Sequence, residues 1–272
     1  MQKSGVKKIG KIISDVTGMA FVPKIANDPP NDKDVVFLVS YPKSGSTWTQ
    51  FLLSNCIYDS RTTHKSVAKR IPDIHNYRLK LNELKSPKIL KSHESFNPKY
   101  SRVIYIVRNP FSVSVSYYFH LKKRFIIPST MTFSDYLTKF VRGEFDDYGT
   151  WAENAGSWTG ARNKNKNNFL LIKYADLKSD TMGELRKMID FIGLDSSDQK
   201  LSQAVKNSSF DEMKRLEKTE QSSHVKLKNT DLSIPIVRSG ELDEWKRHFS
   251  DEDIKLIENY FGDVMDRLSY TA

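Results

Sequence analysis

The sequence is short of everything that would build a secreted, fibrous or membrane-spanning protein. It has a single cysteine, Cys56, so neither an intrachain disulfide framework nor a cysteine-based metal site is open to it. No apolar run exceeds that of Val35–Val39, far short of the ~20 residues of a membrane span. With 12 Gly and 10 Pro in 272 residues it is no fibrous chain, and 38% hydrophobic residues are too many for a disordered one. There are no internal repeats and no low-complexity linker, which favours one domain over 31–272 with an N-terminal arm or helix over 1–30. The first twenty residues lack the continuous apolar stretch of a secretion signal, and with the lone cysteine this points to the cytoplasm.

Charge is present in excess. Lys and Arg number 43 against 33 Asp and Glu, a formal balance of +10. That favours an anionic partner: nucleic acid, an acidic membrane surface, or a phosphorylated or sulfated small molecule. Lys3, Lys7, Lys8 and Lys11 alternate with Val6, Ile9, Ile13 and Val16 at helical spacing, which reads as a docked terminal helix or a basic membrane-surface segment.

Residues 34–41 (DVVFLVSY) are β-branched and aromatic and stop at Pro42, the pattern of a strand buried on both faces. A helical apolar pattern follows over 46–58 (Trp48, Phe51, Leu52, Ile57). Residues 87–93, 102–108 and 167–177 read as further strands. Pro110 stands just inside a helix that starts after Asn109, and Gly193 ends another that begins near Thr181. Strands alternating with helices predict an α/β fold: a single domain with a central, mostly parallel sheet flanked by helices. Residues 160–168 read as a charged turn, and 214–235 as a long surface loop of the kind that forms lids.

The sharpest local signal is SYPKSGSTW (40–48), after a strand and opening a helix. A small Gly-containing loop at a helix N-terminus presents backbone N–H groups to an anion, with Lys43 as a point charge and Ser44, Ser46 and Thr47 as hydroxyl donors. The same residues also serve as an ordinary strand–helix turn. A Walker A loop needs Lys after its second Gly, whereas Lys43 precedes the only one, Gly45. A magnesium-dependent P-loop enzyme also wants an Asp at the end of an apolar strand, and VIYIV ends in Arg108. The phosphate-like group is expected to be held by protein cations, without a metal.

Together YPKSGSTW, RNPFSVSVSYY and RSGELDEWKRHF resemble the cytosolic-type sulfotransferases, which use 3′-phosphoadenosine 5′-phosphosulfate (PAPS). The similarity runs loosely from Val35 to Phe249 and implies a P-loop-like phosphosulfate-binding loop. Residue by residue, it implies that Lys43, Ser44, Gly45, Ser46 and Thr47 hold the 5′-phosphosulfate. Trp48 would stack on adenine, although a core Trp reads the same way in sequence. Arg108 and Ser116 would hold the 3′-phosphate together with Arg238, Ser239 and Gly240, while Tyr174, Ser208 and Phe210 would contact the adenosine. LKSH resembles the family's KTH segment, which makes His93 the candidate base and Lys91 its neighbour. In-line sulfuryl transfer requires the acceptor to lose a proton, and a neutral imidazole with the usual pKa of about 6.5 is a natural taker. Lys43 and Lys91 would stabilise charge on the leaving phosphate.

The chain departs from the family pattern at Ser239, where a Lys is usual, and at Asp243-Glu244, where Gly-Asp is usual. The family's C-terminal dimerisation pattern is not matched, which leaves the oligomeric state open. A small-molecule acceptor is implied, a hydroxyl or an amine, with no nucleic acid and no membrane span. Candidate acceptor walls are Tyr77, Phe96, Phe125, Tyr148, Trp151 and Trp158, edged by Lys122, Lys123 and Arg124 on one side and Asp146, Asp147 and Glu153 on another. The alternatives are a P-loop kinase and a basic nucleotide- or nucleic-acid-binding protein without catalysis.

Overall fold

The computed structural model of the chain describes residue 30 and residues 32–75, 80–161, 166–220 and 229–272. In chain order the elements are β1 (Val35–Ser40), α1 (Ser46–Ile57), α2 (His64–Arg70), β2 (Lys88–Ser92), β3 (Val103–Val107), α3 (Pro110–Lys123), α4 (Phe133–Phe140), α5 (Trp151–Ala161), β4 (Phe169–Lys173), α6 (Tyr174–Ser179), α7 (Thr181–Ile192), α8 (Asp198–Asn207), α9 (Phe210–Glu220) and α10 (Asp251–Arg267). The expected N-terminal arm, with the helical pattern of residues 1–20, lies outside the described residues, as does Tyr77.

The four strands make one sheet in the order β2-β1-β3-β4, and every pairing is parallel. Alternation along β1 explains the layering. Val35, Phe37 and Val39 enter one core with Tyr105, Phe111, Trp151, Trp158 and Phe261. Val36 and Leu38 enter another with Leu52, Ile104, Ile106, Ile172 and Leu185. A strand whose two faces both meet helices has no side left for polar residues, hence the uninterrupted VVFLV.

Local chemistry sets the helix ends as the sequence predicts. The Asn109 side chain accepts from the Phe111 N–H, and Pro110 takes the first position of α3. Asp180 caps α7 at the Gly183 N–H, and Gly193 closes it in the left-handed conformation (φ 85°).

Two expectations are corrected. The strand read over 167–177 ends at Lys173, because Tyr174 and Leu177, three apart, bury one face of a short helix. The loop read over 214–235 begins as helix: α9 continues to Glu220, burying only Met213, Leu216 and Glu217, with an i,i+3 pair between Glu212 and Arg215 outside. Of that stretch, 221–228 lies outside the described residues.

The order 2-1-3-4 places a topological switch between β1 and β3, and parallel α/β sheets bind ligands at the carboxyl ends of strands at such a point. The register aligns those ends: Val39 pairs with Ser92 on one side, Ser40 with Ile106 on the other, and Val107 with Lys173. The residues that follow the four strands are therefore delivered to one edge.

Candidate active site

A cavity of about 450 Å³ opens at that edge, lined by Lys43, Gly45–Trp48, Lys91, His93, Arg108, Ser116, Tyr174, Phe210 and Arg238–Gly240. Of the residues expected to act on the sulfuryl group or to hold the nucleotide, only Ser44 and Ser208 do not line it. Each strand contributes: the 41–45 loop follows β1, Lys91 lies next to last in β2 with His93 just past it, Arg108 follows β3 and Tyr174 follows β4.

The 41–45 loop turns sharply. Lys43 has φ 69° and Gly45 φ 106°, left-handed conformations that gather successive N–H groups into a concave nest. At Gly45 a Cβ would lie 2.5 Å from the Tyr174 ring, so only glycine fits. Helix α1 starts here with no side-chain cap and no acidic residue in its first turn, which leaves its N–H groups and positive dipole end for an external anion. Ser44 is fully buried, and its Oγ has no hydrogen-bond partner among the described residues.

Arg108 lies with its guanidinium 4.3 Å from the centre of the Tyr174 ring, and its Nη1 is 3.5 Å from the Lys43 carbonyl. Its Nε is buried without a partner, and no carboxylate pairs with it among the described residues. Burial lowers its pKa. Ser116 is two turns into α3; on the same helix the Ser112 hydroxyl donates to the Leu242 carbonyl and so packs the 238–244 segment beside it. Arg238 pairs with Glu244, which also accepts from the Ser239 hydroxyl. Burial, with Arg108 and Arg247 nearby, brings the Arg238 pKa down to about 10. At Gly240 (φ 68°) a Cβ would stand 3.0 Å from the Phe210 ring. A guanidinium with no carboxylate partner among the described residues, beside an uncapped nest, fits an anionic nucleotide with phosphates at both places.

Trp48 is half-buried, edge-on to Tyr174 at 5.7 Å, and its indole N–H donates to the Ser208 carbonyl at 2.9 Å. The Ser208 hydroxyl accepts from Asn55 Nδ2 at 3.0 Å. Ser208 is thus turned into the protein, where it steadies Trp48, and its expected direct contact with a ligand is not what its position offers.

His93 Nδ1 is 2.6 Å from the Ser40 carbonyl. A carbonyl only accepts, so Nδ1 carries the hydrogen and Nε2 keeps the lone pair, the tautomer a general base needs. The Asn154 amide donates to the His93 carbonyl at 3.0 Å, and the Tyr148 ring stands edge-on at 5.5 Å. Lys91 pairs with Asp73 at 3.0 Å. Burial alone would raise the Asp73 carboxyl, but the Lys91 ammonium, the His75 N–H and His93 outweigh it and bring the pKa to about 2.

The imidazole of His93 is not at the ordinary value expected from sequence. Its burial, and then Lys91 and Lys43, push it down to about 3 against the raising effect of the Ser40 carbonyl and Asp73. A lowered histidine pKa keeps the neutral form as the medium is acidified, so in the ligand-free protein His93 stays uncharged at pH 5. NMR of the imidazole nitrogens from pH 7.5 to 5 is expected to show no titration of this ring, whereas a midpoint between 6 and 7 would contradict the placement.

Sequence reading missed Asp73, whose partner Lys91 is remote in the chain, and His120 and Lys178 on the cavity wall, while Lys123 and Arg124, expected at one edge of the acceptor site, do line the cavity. His120 stands one helical turn past Ser116, a spacing that alone carries no signal. The aromatic acceptor wall largely dissolves. Trp151 and Trp158 are core residues whose indoles donate to the Arg108 and Glu94 carbonyls; Phe96 and Phe125 are exposed; among the described residues of that group only Tyr148 lines the cavity. The acidic edge is engaged too, with Asp146 accepting from the Tyr117 hydroxyl and Glu153 from the Thr150 N–H.

The family model of the sulfotransferase domain matches residues 33–269. Bovine sulfotransferase 1E1 is 34% identical over 236 residues, covering 80% of this chain and 78% of its own. Human sulfotransferase 2A1 is 30% identical over 251 residues, covering 86% and 85%. Among solved structures, mouse sulfotransferase SULT7A1 complexed with PAP superposes with a TM-score of 0.66 at 28% identity, covering 88% of this chain and 85% of that one. A cavity at the switch point of a parallel sheet, an anion nest without Walker features and a domain match over nearly the whole chain have one reading: the chain belongs to the sulfotransferase family.

Proposed function

We propose that this enzyme moves a sulfuryl group from PAPS to a hydroxyl or amine of a small-molecule acceptor. The observation that carries this reading is the convergence of the Lys43–Trp48 nest, Arg108 and His93 on one cavity. The nest holds the 5′-phosphosulfate, with Arg108, Ser116 and Arg238–Gly240 around the 3′-phosphate. Trp48, Tyr174 and Phe210 take the adenosine. The acceptor oxygen attacks sulfur in line with the departing phosphate oxygen. The new O–S bond forms as the sulfur–phosphate-oxygen bond breaks, whose electron pair stays on the phosphate. His93 Nε2 takes the acceptor proton, and the products are the sulfated acceptor and 3′-phosphoadenosine 5′-phosphate (PAP). Lys43 neutralises the leaving oxygen, aided by Lys91. A negatively charged nucleotide offsets Lys43 and Lys91, so its binding raises the His93 pKa toward the range where a base is effective. The lone cysteine, Cys56, free and buried, supports a cytoplasmic setting.

Calorimetry in EDTA tests the reading. PAP is expected to bind without added metal and to bind more tightly than ATP, because the cations that answer the 3′-phosphate are side chains. Loss of binding on chelation, or ATP binding as tightly as PAP, would favour the kinase alternative.

A further inference from the structure

The two guanidinium groups at the Tyr174 end of the cavity differ in what they can give a ligand. Arg108 has no carboxylate partner among the described residues, whereas Arg238 pairs with Glu244, which also accepts from the Ser239 hydroxyl. A phosphate monoester carries a charge of about −1.5 to −2 at neutral pH. Arg108 answers one of those charges, and the Arg238–Glu244 pair adds little net charge. A doubly charged phosphate held here calls for one more cation.

Lys178, in the last turn of α6, stands beside it and lines the cavity. Its Nζ is 3.7 Å from the point that a Cβ on Gly240 would occupy, and the same point is 3.0 Å from the Phe210 ring. Gly240, at φ 68°, thus leaves open the space that the ammonium and the ring border. Tyr174 is four residues earlier, on the same face of α6, and its ring carries the Arg108 guanidinium. Four residues of helix advance roughly 6 Å, so α6 presents Arg108 and Lys178 to the same end of the cavity. Among the described residues Lys178 has neither a hydrogen bond nor an ion pair. The acids of the facing segment each have another cation: Glu241 has Arg247, Asp243 has Lys246 and Glu244 has Arg238. Asp176 and Asp180, two positions to either side, act on Lys187, and Asp180 also caps α7.

We infer that Lys178 is a third cation of the 3′-phosphate site, meeting that phosphate beside Gly240. This rests on the proposed assignment of the 3′-phosphate to Arg108, Ser116 and Arg238–Gly240. The side chain is exposed, so it stays solvated at little cost in the ligand-free protein, and its contribution on binding is smaller than that of Arg108 and weakened by salt. The competing role for a cation at this place is to complement the carbonyl end of α6, which would act on stability and not on the nucleotide.

The test titrates PAPS and adenosine 5′-phosphosulfate, which differ only in the 3′-phosphate, into the full-length protein without acceptor. Native protein, Lys178→Met and Lys178→Arg are compared by calorimetry, the weaker nucleotide by displacement. Lys178→Met is expected to bind PAPS about five- to tenfold more weakly than the native protein and adenosine 5′-phosphosulfate within about twofold of it. High salt is expected to narrow the difference for PAPS. Lys178→Arg keeps the charge and is expected to stay within about threefold of native for both nucleotides. PAPS binding by Lys178→Met within about twofold of native overturns the inference, and a lowered thermal midpoint in that case assigns Lys178 to the end of α6. An equal loss for both nucleotides also overturns it, because the contact would then lie elsewhere than at the 3′-phosphate. Failure of the native protein to bind PAPS overturns the proposed function and this inference with it; native binding that the Lys178 variants leave unchanged overturns the inference alone.

Discussion

His93→Ala is expected to abolish multiple-turnover sulfation while leaving the affinity for PAP within about threefold of native, since loss of a general base costs ~10²–10⁴ in rate and no ground-state contact to the nucleotide. The separation follows from the sheet. His93 comes from the end of β2, an edge strand, and its ring is fixed by the Ser40 carbonyl. The nest and Arg108 come from the ends of the two central strands. Truncating His93 leaves those untouched, and the Asn154 amide still bonds the backbone carbonyl of residue 93. Lys43→Ala behaves differently: that ammonium is placed to answer charge both on the bound phosphosulfate and on the leaving oxygen, so rate and affinity fall together. Single-turnover rates with preloaded PAPS, paired with calorimetry, separate the two. Near-normal single-turnover transfer by His93→Ala would assign proton removal to another group.

The parts of the molecule that were legible in sequence are those where one physical demand fixed the residue type. The strands β1 and β3 are covered on both sides, so VVFLV and VIYIV stand out against a chain rich in charge. Pro110 and Gly193 mark helix ends because backbone geometry leaves few alternatives there. The nest was legible because a strand, a small loop and a helix start follow one another within a few residues. Helix α9 was not, because it buries so few side chains that its charged outer face dominates the pattern. Asp73 was not, because the partner that gives it meaning is in another strand, across an isolated bridge to Lys91. Nor did the sequence distinguish Tyr148, which reaches the cavity, from Trp151 and Trp158, which fill the core: all three are aromatics near polar residues. The depression of His93 needed the positions of two lysines relative to a buried ring, information held only in three dimensions.

Arg108→Ala is expected to remove the discrimination between PAP and a nucleotide that lacks the 3′-phosphate. Arg108 and Arg238 are the two guanidinium groups at this end of the cavity, but they are not equivalent. Arg238 already has a carboxylate, Glu244, which Ser239 also engages where the family usually supplies another cation. Arg108 has a tyrosine face, one long contact to a carbonyl and a buried, unpaired Nε. A buried charge in that state is costly until an anion reaches it. The gain on binding is therefore concentrated at Arg108, and breaking one side of such a pair costs about 2–5 kcal/mol, a loss of about thirtyfold to several thousandfold in affinity for PAP. Arg238→Ala is expected to cost less, because releasing Glu244 offsets part of what its guanidinium supplies. The same reasoning sets the sign of the effect on the ligand-free protein. Removing an uncompensated buried charge does not lower stability, so the thermal midpoint of apo Arg108→Ala is expected to equal or exceed that of the native chain, whereas the increase in midpoint on adding PAP largely disappears. Calorimetry with PAP and with adenosine 5′-phosphosulfate, alongside thermal unfolding with and without PAP, measures all of this. A variant that loses affinity equally for both nucleotides would show that Arg108 acts by holding the Lys43 loop through its carbonyl, and the 3′-phosphate would then have to be held by Arg238 and Ser116.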